Sequence, residues 1–289
     1  MIVTLALMLT WQTAGLGGIN VNALAFDGGN LYGATDSGIF MRSGGSDWVA
    51  LQSGSFNTIA ANNAVLYAGG NGVVKSSDAG RSWTTLSQGW DVSSIVLDGS
   101  AVYVGTRDRG ILKSSNGGAT WIEKPTGISA FVIALAIDAN TVYAGTNRGV
   151  LKSLDGGDTW RQINNGITIP FSITSIVIDS TTIFAATPFA GVFRSDDRGE
   201  SWVAANGPST WVSALALQNR TIYAGTPDQG IFRSQDRGAT WTTFNDGLPR
   251  AFVHALVLAP GGSQLYAATS SGVLLVDFAP RSRSIRRRL

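Results

Sequence analysis

One octet recurs along this chain at a period of about 40 residues, and it limits the fold more than any other feature. The pattern is Ser-x-Asp-x-Gly-x-Ser/Thr-Trp. It is met in full at Ser76–Trp83, Ser153–Trp160, Ser195–Trp202 and Ser234–Trp241. A further copy, Ser114–Trp121, carries Asn116 in the Asp place, and a shortened one runs from Ser43 to Trp48. Asp or Asn closes turns by accepting hydrogen bonds from nearby backbone N–H groups. Glycine two residues later supplies a positive φ. The hydroxyls stand where two strands leave the turn and can pair across it. Tryptophan opens the outgoing strand with a large surface to bury. Turn chemistry accounts for every defined position, so the octet reads as a structural β-turn staple: Asp78, Gly80, Trp83; Asn116, Gly118, Trp121; Asp155, Gly157, Trp160; Asp197, Gly199, Trp202; Asp236, Gly238, Trp241.

Two further ladders share the period. The tryptophans Trp11, Trp48, Trp83, Trp121, Trp160, Trp202 and Trp241 lie 35 to 42 residues apart. Between them stand Tyr32, Tyr67, Tyr103, Tyr143, Phe184, Tyr223 and Tyr266, each in a short apolar run. One unit reads as strand A at Val212–Leu217, B at Thr221–Gly225, C at Gly230–Ser234 and D at Thr240–Phe244, with the octet as the C–D hairpin. No segment carries a sustained 3.6-residue stripe with caps, so no helix is expected. Four short strands per unit predict an all-β fold, a seven-bladed β-propeller with four-stranded blades. Thr10-Trp11-Gln12 reads as a D strand without its own A, B and C, and the last unit lacks D, so the N-terminal strand is expected to close the last blade. Residues 1–279 are expected to form this single domain. Met1–Leu9 is apolar and reads as the lead into the closing strand, with a trimmed signal remnant as the competing reading.

Composition narrows the chemistry. The chain has 289 residues, no cysteine and one histidine, which excludes disulfides and His- or Cys-rich metal sites. No metal and no cofactor is expected. The formal net charge of +2 is carried by Arg281, Arg283, Arg286, Arg287 and Arg288. Without those five, the 21 basic residues fall to 16 against 19 acidic ones, a net of −3. The folded body is therefore not expected to bind nucleic acid. Residues 280–289 read as a basic, disordered tail, with weak contact to an acidic surface as the functional alternative.

These motifs resemble the Asp-box (BNR) repeat family of β-propellers, and the resemblance covers nearly the whole chain. The family includes sialidases, xyloglucan-active endoglucanases, the sortilin ectodomain and the photosystem II stability/assembly factor group. In size the chain is most similar to the last group and to unassigned bacterial Asp-box proteins. The resemblance implies that the box is structural and lies away from the ligand face, and it suggests an extracytoplasmic location, although no signal peptide is evident.

In a four-stranded blade the D–A and B–C connections share one face, opposite the boxes. Binding residues are sought there. The D–A connections offer Phe56, Trp90, Phe131, Phe171, Trp211 and Phe252, rings that could stack a sugar or grip a peptide side chain. The B–C turns offer Arg107, Asp108, Arg109, Arg148, Phe189 and Asp228, among which the arginines suggest a local basic patch suited to carboxylates. A glycosidase needs two carboxylates flanking one bond, and Asp108 and Asp228 belong to distant units. No catalytic residue is identified. The expectation is a monomeric, non-catalytic scaffold for a protein or peptide; the alternative is a carbohydrate-active protein, a lectin-like binder or a sialidase- or endoglucanase-like hydrolase. His254, on strand A of the last unit, reads as structural.

Overall fold

A computed structural model describes residues 9–127, 130–167, 172–208 and 210–278. Met1–Met8 and the basic tail lie outside the described residues, so the readings placed on them are not addressed by the structure. Within the described residues the regular secondary structure is all strand. The strands, in order, are β1 (Gln12–Gly15); β2 (Val21–Asp27), β3 (Asn30–Thr35), β4 (Gly38–Ser43), β5 (Val49–Ser53); β6 (Phe56–Asn62), β7 (Val65–Ser76), β8 (Thr84–Asp98); β9 (Ala101–Thr106), β10 (Ile111–Ser114), β11 (Ile122–Lys124); β12 (Val132–Asp138), β13 (Thr141–Thr146), β14 (Gly149–Ser153), β15 (Arg161–Gln162); β16 (Ser175–Asp179), β17 (Thr182–Ala186), β18 (Val192–Ser195), β19 (Val203–Ala204); β20 (Ala214–Gln218), β21 (Thr221–Gly225), β22 (Ile231–Ser234), β23 (Thr242–Thr243); β24 (Val253–Leu258), β25 (Gln264–Thr269) and β26 (Gly272–Asp277).

The expected seven blades of four strands are not what forms. Counted as hydrogen-bonded sheets, the propeller has six blades among the described residues: five sheets of four strands and one of six. The cause is local. β8 runs unbroken from Thr84 to Asp98, so the connection between a D strand and the next A strand is absorbed into one element. Its first half pairs with β7 through Lys75↔Thr84 to Asn71↔Asp91, and its second half pairs with β9 through Val92↔Thr106 to Asp98↔Ala101. The second and third sequence repeats are thereby joined into the order β11-β10-β9-β8-β7-β6. The N-terminal strand β1 pairs antiparallel with β26, so the sheet β1-β26-β25-β24 is built from both ends of the chain.

Successive repeats pack face to face. One buried cluster, for example, joins Tyr103 and Ile111 to Val132, Leu135, Val142 and Leu151 of the next repeat. Two polar devices tie the repeats together. The first lies on strand A. Antiparallel register slips after the first residue of β2, β6, β12 and β24 and at Val92/Ser94 in β8, a bulge that turns the second residue toward the neighbouring repeat. Asn22 Nδ2 donates to Phe56 O (2.9 Å), Asn57 Nδ2 to Val92 O (2.9 Å) and Ser93 Oγ to Val132 O (2.6 Å). Thr174 and Ser213 hydroxyls do the same to Val212 O and Val253 O. Ile133 and His254 occupy the two positions without such a bond among the described residues.

The second device is the box. The first serine donates to the carboxylate and accepts from the box glycine: Ser76 Oγ to Asp78 Oδ1 (2.7 Å), Gly80 N to Ser76 Oγ (2.8 Å). Asp78 Oδ1 accepts from Ser82 N (2.9 Å) and Oδ2 from Ser82 Oγ (2.6 Å). The closure thus spans four residues, and both hydroxyls bind the carboxylate instead of each other. The residue before the glycine is also left-handed, with Ala79, Arg198 and Arg237 at φ 58, 59 and 58°. Its carbonyl points at the preceding repeat. Tyr67 Oη (3.0 Å) and Lys75 Nζ (2.9 Å) donate to Gly117 O, Tyr103 Oη (3.0 Å) and Lys113 Nζ (2.6 Å) to Gly156 O, and Tyr143 Oη (3.4 Å) and Lys152 Nζ (2.8 Å) to Arg198 O. The hydrogen bonds hold the box carboxylates below their usual range, first through the Ser or Thr hydroxyl: Asp78 and Asp236 to about 2, Asp155 and Asp197 lower still. A group so fixed as a turn acceptor is poorly suited to proton transfer near neutrality.

Candidate functional site

The face opposite the boxes carries a cleft of about 780 Å³ between the third and fourth repeats. It is lined by Arg107, Asp108 and Arg109 from the β9–β10 turn, Glu123 and Lys124 at the end of β11 with Pro125 to Gly127 after it, and Phe131 ahead of β12. The tight turn is set by Thr106, whose Oγ1 accepts from Arg109 N (2.8 Å) and donates to Gly110 O (3.0 Å). Both arginine side chains are thereby projected outward, and both meet carboxylates. Arg107 Nη1 lies 3.2 Å from Asp91 Oδ1. Arg109 Nη1 lies 3.0 Å from Glu123 Oε1, with its Nε 3.9 Å from Asp108 Oδ2. Asp108 Oδ1 also accepts from Asp91 N (3.1 Å). Lys124 is only 16% exposed and reaches Asp158 Oδ1 at 2.6 Å. The cations of this cleft are each opposed by a carboxylate, so it is an ion-pair network rather than an unopposed basic patch. Such exposed pairs contribute little to stability, which leaves them free to exchange partners.

The other expected residues are placed as follows. Arg148 is exposed but outside the cleft. Phe131 is 54% and Phe189 76% exposed. Trp211, 44% exposed, meets Phe252 edge-on (5.6 Å, 87°), and Phe252 stacks on His254 (4.5 Å, 19°). Trp90 instead packs edge-on against Trp121 (5.6 Å, 89°) beside the buried Val73–Val92 cluster, so its ring fills a gap within the six-stranded sheet. Phe171 lies outside the described residues. Asp228 lines a separate cleft of about 340 Å³ with Gln229, Asn245, Leu248 and Arg250. A third hollow of about 330 Å³, bordered by Ser55, Asn57, Asn71, Asp91 and Asp108, adjoins the first across Asp108.

Glu123 and Lys124 are not marked by the sequence reading, and Asp91, near Asp108 by repeat, has no motif around it that marks it as a site residue. Glu123-Lys124-Pro125 closes a D strand just before a D–A connection, which was the available signal. Asp91 has none, because its role depends on β8 running through the position where a loop is expected. His254 is part-buried, and its pKa is lowered by that burial against an opposing pull from Asp36. Asp36 itself accepts from Asn20 Nδ2 (2.8 Å) and Asn22 Nδ2 (2.7 Å). No group of metal-binding side chains occurs among the described residues, nor any helix long and apolar enough to cross a membrane.

No family model and no curated protein matches the chain. Solved structures do match its fold. The extracellular domain of the putative one component system BT4673 from B. thetaiotaomicron aligns with a TM-score of 0.79 at 13% identity, covering 93% of this chain and 40% of that one. The GH74 enzyme of Niastella koreensis aligns at 0.74 and 19% identity, covering 94% and 54%. A YCF48 structure bound to D1 peptide aligns at 0.73 and 15% identity, covering 94% and 97%. The chain thus spans about half or less of the first two. At these identities the likeness shows a β-propeller fold alone.

Proposed function

We propose that this chain is a non-catalytic propeller scaffold that binds a protein or peptide through the face opposite its boxes. One observation carries the reading: the 780 Å³ cleft sets an exposed aromatic, Phe131, beside Arg107 and Arg109, which are oriented by carboxylates at 3.0–3.2 Å. An incoming carboxylate can replace Glu123 or Asp91 at an arginine already held in position, which limits the ordering cost of binding. The same pairing argues against a hydrolase, since the carboxylates of the cleft are engaged with its arginines rather than set as a pair across one bond. The peptide-bound fold neighbour supports a peptide as partner.

A glycan-binding reading rests on the exposed Trp211 against Phe252 and on the GH74 fold neighbour. By analogy with the extracellular neighbour, we place the protein outside the cytoplasm; a monomeric state and weak contact of residues 280–289 with an acidic surface are part of the same proposal. A peptide array and a glycan array, probed with wild type and with Arg107→Ala/Arg109→Ala/Phe131→Ala, test the reading. Peptide capture that falls at least tenfold in the triple variant supports it. Peptide capture unchanged by the triple substitution, or glycan capture alone, sinks it.

A further inference from the structure

The box face should offer no pocket, because each full box is packed into its neighbour. A Cβ on Gly80 would collide with Leu51, on Gly118 with Leu86 and on Gly199 with Ile163. The first repeat breaks this rule. Its turn, Ser43–Trp48, has six residues where the octet has eight. A Cβ on Gly44 would meet nothing within 4 Å, and one on Gly45 would meet only Arg42 Nη2, at 4.0 Å. The facing repeat lacks the clamp as well. Leu275 takes the strand-C place of Lys75, Lys113 and Lys152, and Tyr266 Oη donates to Gln264 Oε1 (2.9 Å) rather than to a box carbonyl. The space left is a cavity of about 520 Å³.

Its walls are Phe26, Leu31, Tyr266, Leu275 and Pro260, with Phe26 set edge-on to Tyr266 (5.4 Å, 71°). One cation lines it. Arg42 is held by three carbonyls: Nε to Ser46 O (2.9 Å), Nη1 to Ala14 O (2.9 Å) and Nη2 to Gly45 O (3.2 Å). Each Nη keeps a second N–H. No carboxylate among the described residues pairs with Arg42, whereas Arg107, Arg109 and Lys124 of the opposite-face cleft are all so paired. Asp277, on the same sheet, acts on Tyr266 in the sense opposite to Arg42. A cavity within the size range of ligand pockets, with an apolar, partly aromatic wall, a polar margin at Ser263 and Gln264 and a single oriented guanidinium, has defined chemistry.

We infer that this closing-seam cavity binds a small apolar carboxylate, with an aromatic or short aliphatic body against Phe26, Leu31 and Leu275 and its carboxylate on Arg42. The site is independent of the opposite-face cleft. Titration calorimetry with 1-naphthoate, and with neutral 1-naphthalenemethanol as the charge control, tests it on the full chain. Naphthoate is expected to bind one site at least tenfold tighter than the alcohol. Arg42→Gln should remove that tenfold preference, and Leu275→Trp, which fills the cavity while Arg42 remains, should reduce naphthoate binding at least tenfold in a protein whose circular dichroism is unchanged. Absence of naphthoate binding at millimolar concentration, equal binding of the alcohol, or binding indifferent to folded Leu275→Trp would each overturn the inference.

Discussion

The seam between the fourth and fifth repeats and the seam between the last repeat and the first are built from the same repeat positions, yet they are held differently. At the former, Lys152 is 5% exposed, donates to Arg198 O and meets Glu200 Oε1 at 2.9 Å, while Glu200 also pairs with Arg161. Trp202 is 3% exposed and donates to Ile163 O (2.6 Å). At the latter, Leu275 replaces the lysine, the box is short, and Trp48 donates to Ala14 O (2.7 Å) of the N-terminal strand. The difference shows where the repeat's logic depends on chain continuity. A box can be clamped only where one chain runs through both C and D. The sheet β1-β26-β25-β24 takes its D strand from the other end of the chain, so its seam with the sixth repeat has no C–D turn to clamp; at its seam with the first repeat the β4–β5 turn is continuous but two residues short, and Leu275 stands where the clamping lysine would be. On its far side, Phe278 stacks on Tyr223 (5.9 Å, 21°) and Phe244 (6.5 Å, 28°), in the region where a box of that repeat would sit.

The largest effect should therefore come from the N-terminal strand. Trp11 is 3% exposed, donates to Phe244 O (2.8 Å) and meets the Phe244 ring edge-on at 5.9 Å. Trp11→Ala should cost about 3–5 kcal/mol by urea denaturation. Trp121→Ala should cost less, because Trp121 is only half-buried and its Nε1 has no partner. Equal losses would mean that the closing strand is no more than another repeat edge.

Next comes the clamp itself. Lys152→Met keeps the stem but removes the donor to Arg198 O and Glu200, and should cost about 1–2 kcal/mol. Leu275→Lys at the closing seam meets no box carbonyl, so it should destabilise rather than restore a clamp. A gain in stability from Leu275→Lys would erase the contrast between the seams.

A smaller effect, read through pH, separates full boxes from the Asn-bearing one. The carboxylates of Asp78, Asp155, Asp197 and Asp236 are depressed in the folded state, so their contribution is present above the unfolded value near ~3.9 and is lost as pH falls toward about 2 for Asp78 and Asp236. The urea midpoint should fall across that window. Replacing all four by Asn, the residue already present at Asn116, should flatten the dependence. An unchanged slope would show that the box carboxylates do not titrate with folding.

How much of this was legible in the sequence follows from the range of each interaction. The box announced itself because its bonds close within Ser76–Trp83, and the alternation around Tyr103 or Tyr143 announced the strands. The all-β propeller follows from those local terms. The sheet count does not: whether Gln88-Gly89-Trp90-Asp91 forms a loop or runs on as β8 is decided by cross-strand partners at Asn71 and Thr106, which no local pattern encodes. The cleft was legible only in part for the same reason. Arg107 and Arg109 sit in a recognisable turn, but their partners Asp91 and Glu123 come from other elements. Lys75, Lys113 and Lys152 were unmarked because their acceptor is the backbone of the next repeat.

The smallest expected effect concerns the inner ring of strand-A clasps. Asn22, Asn57, Ser93, Thr174 and Ser213 each donate to the next repeat's backbone, whereas His254 at the equivalent place leaves Nε2 buried without a partner. Its neighbours are the Phe252 ring, stacked at 4.5 Å, and the Asp36 carboxylate, whose attraction only partly offsets burial. A histidine with a lowered folded pKa is protonated more readily in the unfolded chain. Stability is then full above the unfolded value of about 6.5 and declines as pH falls below it. His254→Asn places an amide where Asn22 and Asn57 already work, with Val21 O as the equivalent acceptor. It should gain about 0.5–1.5 kcal/mol at neutral pH and remove the decline between about pH 7 and 5. If the variant keeps that decline, the proton-sensitive group lies elsewhere; if it loses stability at neutral pH, the closing seam has no clasp to restore and differs from the inner seams in its backbone as well as its side chains.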